Sequence, residues 1–249
     1  MTDNPWVLDV SRDWVAACDV QQGFMQSNVQ AADLWDFSAR CRQVLELGGD
    51  CFDFTPLEDH RLALTIGDAS GKSLPAALMI TGVQLSLRTA ASIIGSDLAA
   101  VVAGVNRQAH ATSPAHRYTT LFYAVFDATT RVLRYVNAGH HPPMVVRRDN
   151  SILRLEAGGL PVGLLPDSAY HEGAVRLDQG DLVLAYTDGV TEATNPAGEE
   201  WGVQGLHKVA AENSARPTPD IVDEIFNRMD EFSHGSQADD ATVAVLRVP

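Results

Sequence analysis

The chain has 249 residues, 45% of them apolar and 20% charged, which is an ordinary globular composition for one large domain or two small ones. Its 32 acids against 18 bases give a net charge of −14, which sets aside nucleic-acid and anionic-membrane binding as main roles, since both need basic surface. Three cysteines, Cys18, Cys41 and Cys51, show no metal-ligand or redox spacing. With no signal-peptide pattern at the start and no apolar run near the ~20 residues of a membrane span, they point to unpaired thiols in a reducing cytoplasm.

The first 30 residues contain VAACDVQQGFMQ, a short amphipathic helix that belongs to the domain or extends from it to meet a partner. Residues 31–249 read as one domain. Alternation at Phe37, Ala39 and Cys41 predicts a strand, followed by strand-like VLELGGD, CFDF and RLALTIGD. Ser73 is placed to cap a helix over 74–92, with Pro75 in its first turn. A second helix starts at Ser96 or Asp97, where Leu98, Val101, Val102 and Val105 recur at helical spacing. Short strands follow in TTLFYAVFD, RVLRYVN, PMVVRR, SILRLE, AVRLD and DLVLAYTD, punctuated by Gly, Pro, Asn and Asp. Two late helices, over 203–213 and 219–232, precede a last strand, ATVAVLRV. This order predicts an α+β domain with largely antiparallel sheets.

IGDASGKS, residues 66–73, invites comparison with a nucleotide-binding loop. The spacing refuses it: Gly67 and Gly71 enclose three residues rather than four, and one is Asp68, an anion where phosphate would sit. Carboxylates recur in the same setting. VLELGGD ends at Asp50, LALTIGD at Asp68, LVLAYTDG carries Asp188 before Gly189, and Asp239 and Asp240 open the closing strand. Each alone suits a turn. Together they form an all-oxygen set that hard octahedral cations, Mg²⁺ or Mn²⁺, would neutralise.

The motifs in order resemble the SpoIIE-type branch of the metal-dependent type 2C (PPM) protein serine/threonine phosphatases. LGGDCFDF resembles its GGDxxD segment, IGDASGKSLPAALM its DVSGKGxPAAL segment, and YVNAGHHPP its NAGHxPP motif. YTTLFYAVFD, GLPVGL, GDLVLAYTDGVTEATN and DDATVAVLRV complete the series, over residues 35–248. The resemblance implies a four-layer α-β-β-α sandwich of two mostly antiparallel sheets flanked by helices. It implies two Mn²⁺ or Mg²⁺ ions, with Asp68 bridging, Asp50 and the Ala69 carbonyl on the first, and Asp188 and Asp239 on the second. Asp240 stands behind these, at a position often Asn in the family; Gly189 adjoins Asp188, and Asp53 either faces a third metal or caps a turn.

Such a pair activates water for in-line attack on a phosphoryl group, so no nucleophilic side chain is required. The implied substrate is a phosphorylated regulatory protein, the anti-sigma antagonist of a partner-switching pathway. The implied regulator is a separate protein on the first 30 residues or the 74–92 helix. A regulatory module of the same fold with little or no catalysis is the other reading, and a two-metal nuclease a third; the four retained aspartates oppose the former, the missing His ligands and acidic charge the latter. His140 reads as internally satisfied in an Asn-Ala-Gly turn. Lys72, Arg40 and Arg42 are conceivable phosphate contacts, the two arginines sharing one face of a strand.

Overall fold

The computed structural model describes residues 10–25, 35–114 and 116–249. In chain order the elements are α1 (Val10–Met25), β1 (Asp36–Arg42), β2 (Asp50–Leu57), β3 (Arg61–Ala69), α2 (Ser73–Ile94), α3 (Leu98–Thr112), β4 (Thr119–Asp127), β5 (Val132–Ala138), β6 (Met144–Val146), β7 (Ile152–Arg154), β8 (Gly158–Gly159), β9 (Gly173–Arg176), β10 (Leu182–Tyr186), α4 (Asp188–Thr191), α5 (Gly202–Glu212), α6 (Thr218–Ser233) and β11 (Ala241–Arg247). One sheet runs β1-β11-β10-β6-β7; the other runs β2-β3-β4-β5-β8, with β9 on β5. All pairings are antiparallel except the short β5–β8 contact.

Period-2 alternation builds the four layers. Phe54, Leu62, Leu64, Ile66, Phe122 and Phe126 point from the second sheet toward Val183, Ala185, Ala244 and Leu246 of the first, forming the central core. Alternate residues face outward. Ala63, Leu121, Tyr123 and Val125 meet α2 and α3 through Val83, Leu87, Val101 and Val105. On the far side Leu184, Tyr186, Val243 and Val245 meet α5 and α6 through Leu206, Ile221, Ile225 and Phe226. The expected α-β-β-α sandwich is the observed one.

Two local expectations need correction. VLELGGD is not a strand: residues 43–49 form bends, and Asp50 opens β2 instead of closing a strand. Ser73 does not cap α2, because it sits at φ 62 and its hydroxyl meets no helix N–H. That left-handed conformation costs a residue with a Cβ about 1–2 kcal/mol. Ser73→Gly should therefore raise stability by about 0.5–1 kcal/mol after the entropy of glycine is subtracted, read as a shift of the urea midpoint. The α3 cap is Asp97, whose carboxylate accepts from Ala100 N–H at 2.8 Å. Finally, α2 is by length and composition apolar enough to cross a membrane. Ser, Thr, Gly, Gln and a single charge, Arg88, break up its apolar residues, so no continuous apolar run marks it in the sequence. Its inner face, Ala76, Ile80, Val83, Gln84 and Leu87, is buried on the sheet.

Candidate metal centre

The inward row of β3, Leu62, Leu64 and Ile66, continues to Asp68, and the inward row of β2 begins at Asp50. Register pairs Asp50 with Asp68, so two carboxylates share the end of the space between the sheets. Asp50 is 1% exposed. Its Oδ2 accepts hydrogen bonds from Thr187 Oγ1 at 2.7 Å and Thr242 Oγ1 at 2.6 Å, both from the opposite sheet's strand ends. Thr242 N–H in turn donates to Thr187 Oγ1 at 2.9 Å. Burial, and then the charge of Asp68, push the Asp50 carboxyl well above the usual range, and the threonine hydroxyls pull it part of the way back.

Asp68 gathers the others. Burial and then repulsion from Asp188, Asp239 and Asp240 push it up to about 7, with Lys72 opposing. Asp188 begins α4, directly after β10, and Gly189 lets that turn lie on the start of β11: a Cβ there would stand 2.0 Å from the Asp240 carbonyl oxygen. Gly189→Ala must push α4 and the Asp239–Asp240 turn apart. We expect about 1–3 kcal/mol of destabilisation and a weakened cation affinity, measured by urea unfolding and by calorimetric Mn²⁺ titration.

Asp239 and Asp240 divide their tasks. Asp240 accepts from Val44 N–H and Gly49 N–H, each at 2.8 Å, and so pins the turn that presents Asp50. Asp239 is half-exposed and meets Lys72 Nζ at 2.9 Å. The same ammonium donates to the Ala238 carbonyl at 2.9 Å. Ala69 N–H donates to the Gly49 carbonyl at 3.0 Å. A Cβ on Gly49 would lie 3.1 Å from the Ala69 carbonyl oxygen and 3.6 Å from Asp68 Oδ1, so both oxygens border Gly49.

Residues 58–249 match the family model described as Stage II sporulation protein E (SpoIIE). The chain belongs to the SpoIIE family. Protein IcfG of Synechocystis sp. (strain ATCC 27184 / PCC 6803 / Kazusa) is 28% identical over 92% of this chain and 40% of its own length. Phosphoserine phosphatase RsbU of Bacillus subtilis (strain 168) is 27% identical over 93% of this chain and 68% of its own. The chain thus spans less than half of the first relative and about two thirds of the second. The solved SiaA-PP2C domain of Pseudomonas aeruginosa superposes with a TM-score of 0.85 at 19% identity, covering 96% of this chain and 97% of that one, so the fold is that of a PP2C domain.

Not every candidate joins the SpoIIE-type acid cluster. Asp53 lies three residues from Asp50, hence on the opposite face of β2, where Arg88 Nε of α2 meets it at 2.8 Å and Thr55 Oγ1 at 2.9 Å. It anchors α2 rather than facing the cluster. Arg40 and Arg42 turn to α6, where they pair with Asp223 and Asp230 and lie over the Phe226 ring at 5.2 and 5.1 Å, so neither is a phosphate contact. His140 is buried but satisfied only in part: its backbone N–H donates to Asn137 Oδ1 at 2.7 Å and Nδ1 meets Thr120 Oγ1 at 2.9 Å, while no hydrogen-bond partner among the described residues reaches Nε2, and burial pushes its pKa down to about 3.

Other residues escaped notice in the sequence. Thr187 and Thr242 stand inside quoted motifs, YTDG and DDAT, but their aim at Asp50 depends on packing between sheets. Gln21 of α1 is buried; its amide donates to the Gly48 carbonyl at 2.8 Å and accepts from Gly48 N–H at 3.2 Å. No motif marks it. His141 lies with Asp188 and Glu192, one ligand atom from each falling within 4.8 Å of the others. The acids therefore do have a histidine neighbour, contrary to the all-oxygen expectation.

Proposed function

We propose that this chain is a metal-dependent phosphoprotein phosphatase that hydrolyses phosphoserine or phosphothreonine with two Mn²⁺ or Mg²⁺ ions. The observation that carries this reading is the convergence of Asp50, Asp188, Asp239 and Asp240 on Asp68, raised to about 7, with Lys72 as the opposing cation. Carboxylates so crowded and so little balanced suit hard divalent ions. In this reading Asp68 serves both ions, Asp50 and the Ala69 carbonyl hold the first, and Asp188 and Asp239 hold the second. When bound, such a pair supplies a water acidified toward neutral pH and a clamp on the phosphoryl oxygens.

The chain's own groups set that site in place. Thr187 and Thr242 fix the Asp50 carboxylate by hydrogen bonds that favour its charged form. Asp240 holds the 48–50 turn, and Lys72 steers Asp239 while placing positive charge at the mouth. His140 is unsuited as the acid for the leaving oxygen, since burial pushes its pKa down to about 3 and so disfavours the imidazolium form at neutral pH. RsbU is named as a phosphoserine phosphatase, which with the family motifs supports a phosphorylated regulatory protein of a partner-switching pathway as substrate.

The segment over residues 1–30 is proposed as the regulated element, beside α2. In its described part, Trp14, Ala17 and Cys18 of α1 pack on Leu47 and Ala77, and Gln21 reaches the turn that presents Asp50. A protein that moves α1 therefore moves a ligand-bearing turn. Gln21→Ala should weaken Mn²⁺ binding by about 10-fold, the effect of losing a group that supports a ligand, as read by calorimetric titration. The enzymatic reading itself is tested by phosphate release from a phosphoserine protein with Mn²⁺, Mg²⁺ or EDTA, beside Asp188→Asn. Turnover confined to the metal-loaded native chain supports it; no turnover on any phosphopeptide or aryl phosphate in excess Mn²⁺ overturns it.

A further inference from the structure

We propose that the cavity between α2 and strands β2, β3 and β4 binds a small neutral molecule with an apolar ring and a carboxamide-like head. The cavity holds about 400 Å³, far more than a single water needs and within the range of small-molecule sites. Its floor is one row across three strands, because register sets Asp53 beside Thr65 and Thr65 beside Tyr123. Its roof is one face of α2, where Gln84, Leu87, Arg88 and Ala91 recur at helical spacing. Leu57 and Ala63 join Leu87 and Ala91 in giving the walls an apolar lining.

The polar row on the floor is what points to a ligand. Asp53, Thr65 and Tyr123 are each at most 5% exposed. Thr55 and Arg88 engage only Oδ2 of Asp53, and among the described residues neither the Thr65 nor the Tyr123 hydroxyl has a hydrogen-bond partner. Buried polar groups ordinarily find partners, so this row is set for a head that both donates and accepts: an amide N–H to Asp53 Oδ1 and an amide carbonyl for the hydroxyls. Asp53 and Arg88 already offset one another. An ionised ligand would therefore bring an uncompensated charge into a largely buried space. The same roof residues reach further, since Gln84 and Arg88 donate to the Phe24 carbonyl at 3.1 and 3.2 Å. Phe24 lies in the last turn of α1, whose Gln21 holds the Gly48 turn. A filled cavity thus steadies the turn that presents Asp50; this coupling, unlike the binding itself, rests on the reading of Asp50 as a metal ligand.

The test titrates the full chain against 4-fluorobenzamide by fluorine NMR line broadening. Native protein should bind it with a dissociation constant of about 1 mM or below, and should bind 4-fluorobenzoate and 4-fluorotoluene about tenfold more weakly. Ala91→Phe fills the cavity and should abolish binding, with folding checked by circular dichroism. Thr65→Val and Tyr123→Phe lose no hydrogen bond within the protein, so they should fold, yet each should weaken amide binding about fivefold. Saturating amide should also tighten Mn²⁺ about fivefold in a calorimetric titration. No broadening at about ten times the expected dissociation constant, equal affinity for amide and benzoate, or unchanged affinity in both conservative variants would overturn the site. Amide binding with unchanged Mn²⁺ affinity would overturn the coupling alone, whereas amide binding with no Mn²⁺ bound at all would uphold the site and remove the metal reading.

Discussion

Asp68→Asn is expected to abolish phosphate release and yet to make the protein harder to melt in EDTA. The first half follows from its place between the proposed ions: losing a shared ligand removes several kcal/mol of transition-state stabilisation, about 10³-fold or more in kcat/KM. The second follows from its electrostatics. In the folded chain Asp68 is pushed up to about 7, far above an unfolded carboxylate, because burial and three other acids, Asp188, Asp239 and Asp240, disfavour its charge. A neutral amide of the same shape escapes that penalty. The sign with pH is fixed by linkage: between the ordinary carboxylate range and about 7 the folded protein binds more protons than the unfolded one. Stability in EDTA should therefore fall as pH rises through that window and level off above it, and the slope should shrink in Asp68→Asn. Thermal melts from pH 4.5 to pH 8.5 measure both. A variant that melts lower than native protein at pH 8 would contradict this account.

Mn²⁺ itself should raise the melting temperature, and more strongly at pH 8 than at pH 6, where protons compete for Asp68. A ligand at a hundred times its dissociation constant adds about 2.7 kcal/mol per site. For a chain of this size that is roughly 5–10 °C per ion. Asp188→Asn should lose the share belonging to the second ion and keep that of the first, which rests on Asp50, Asp68 and the Ala69 carbonyl. Differential scanning fluorimetry over a Mn²⁺ series gives the result directly; an unmoved transition in native protein would remove the metal reading.

Much of this was legible before any coordinates. The apolar stretch LALTI marked β3 as a strand that ends at Asp68, although which of its residues face inward came only with the fold. The ordered motifs fixed the family and the layer order. What stayed hidden depended on conformation or on distant packing. Asp50 looked like the end of a strand because VLELG is apolar, yet Leu47 is buried beneath α1 instead of extending a sheet. Ser73 looked like a cap because serine usually is one; its positive φ is set by the turn that also holds Gly71 at φ 100. Asp53 and Asp50 differ by an odd number of positions, so the strand pleat alone was enough to separate them. Arg40 and Arg42 did share a face, but only the placement of α6 decided which. His141 sat in full view within NAGHHPP, and nothing local shows that the chain returns there beside α4.

One feature of the fold reaches beyond the acids. Asp50 belongs to one sheet, and the hydroxyls that fasten it, Thr187 and Thr242, belong to the other. Cation affinity is therefore a gauge of how the two sheets are aligned. Shaving a side chain from the interleaved layer far from the ions, such as Phe54 or Leu246, lets the sheets slip by fractions of an ångström, and catalysis should fade at temperatures where every strand is still intact.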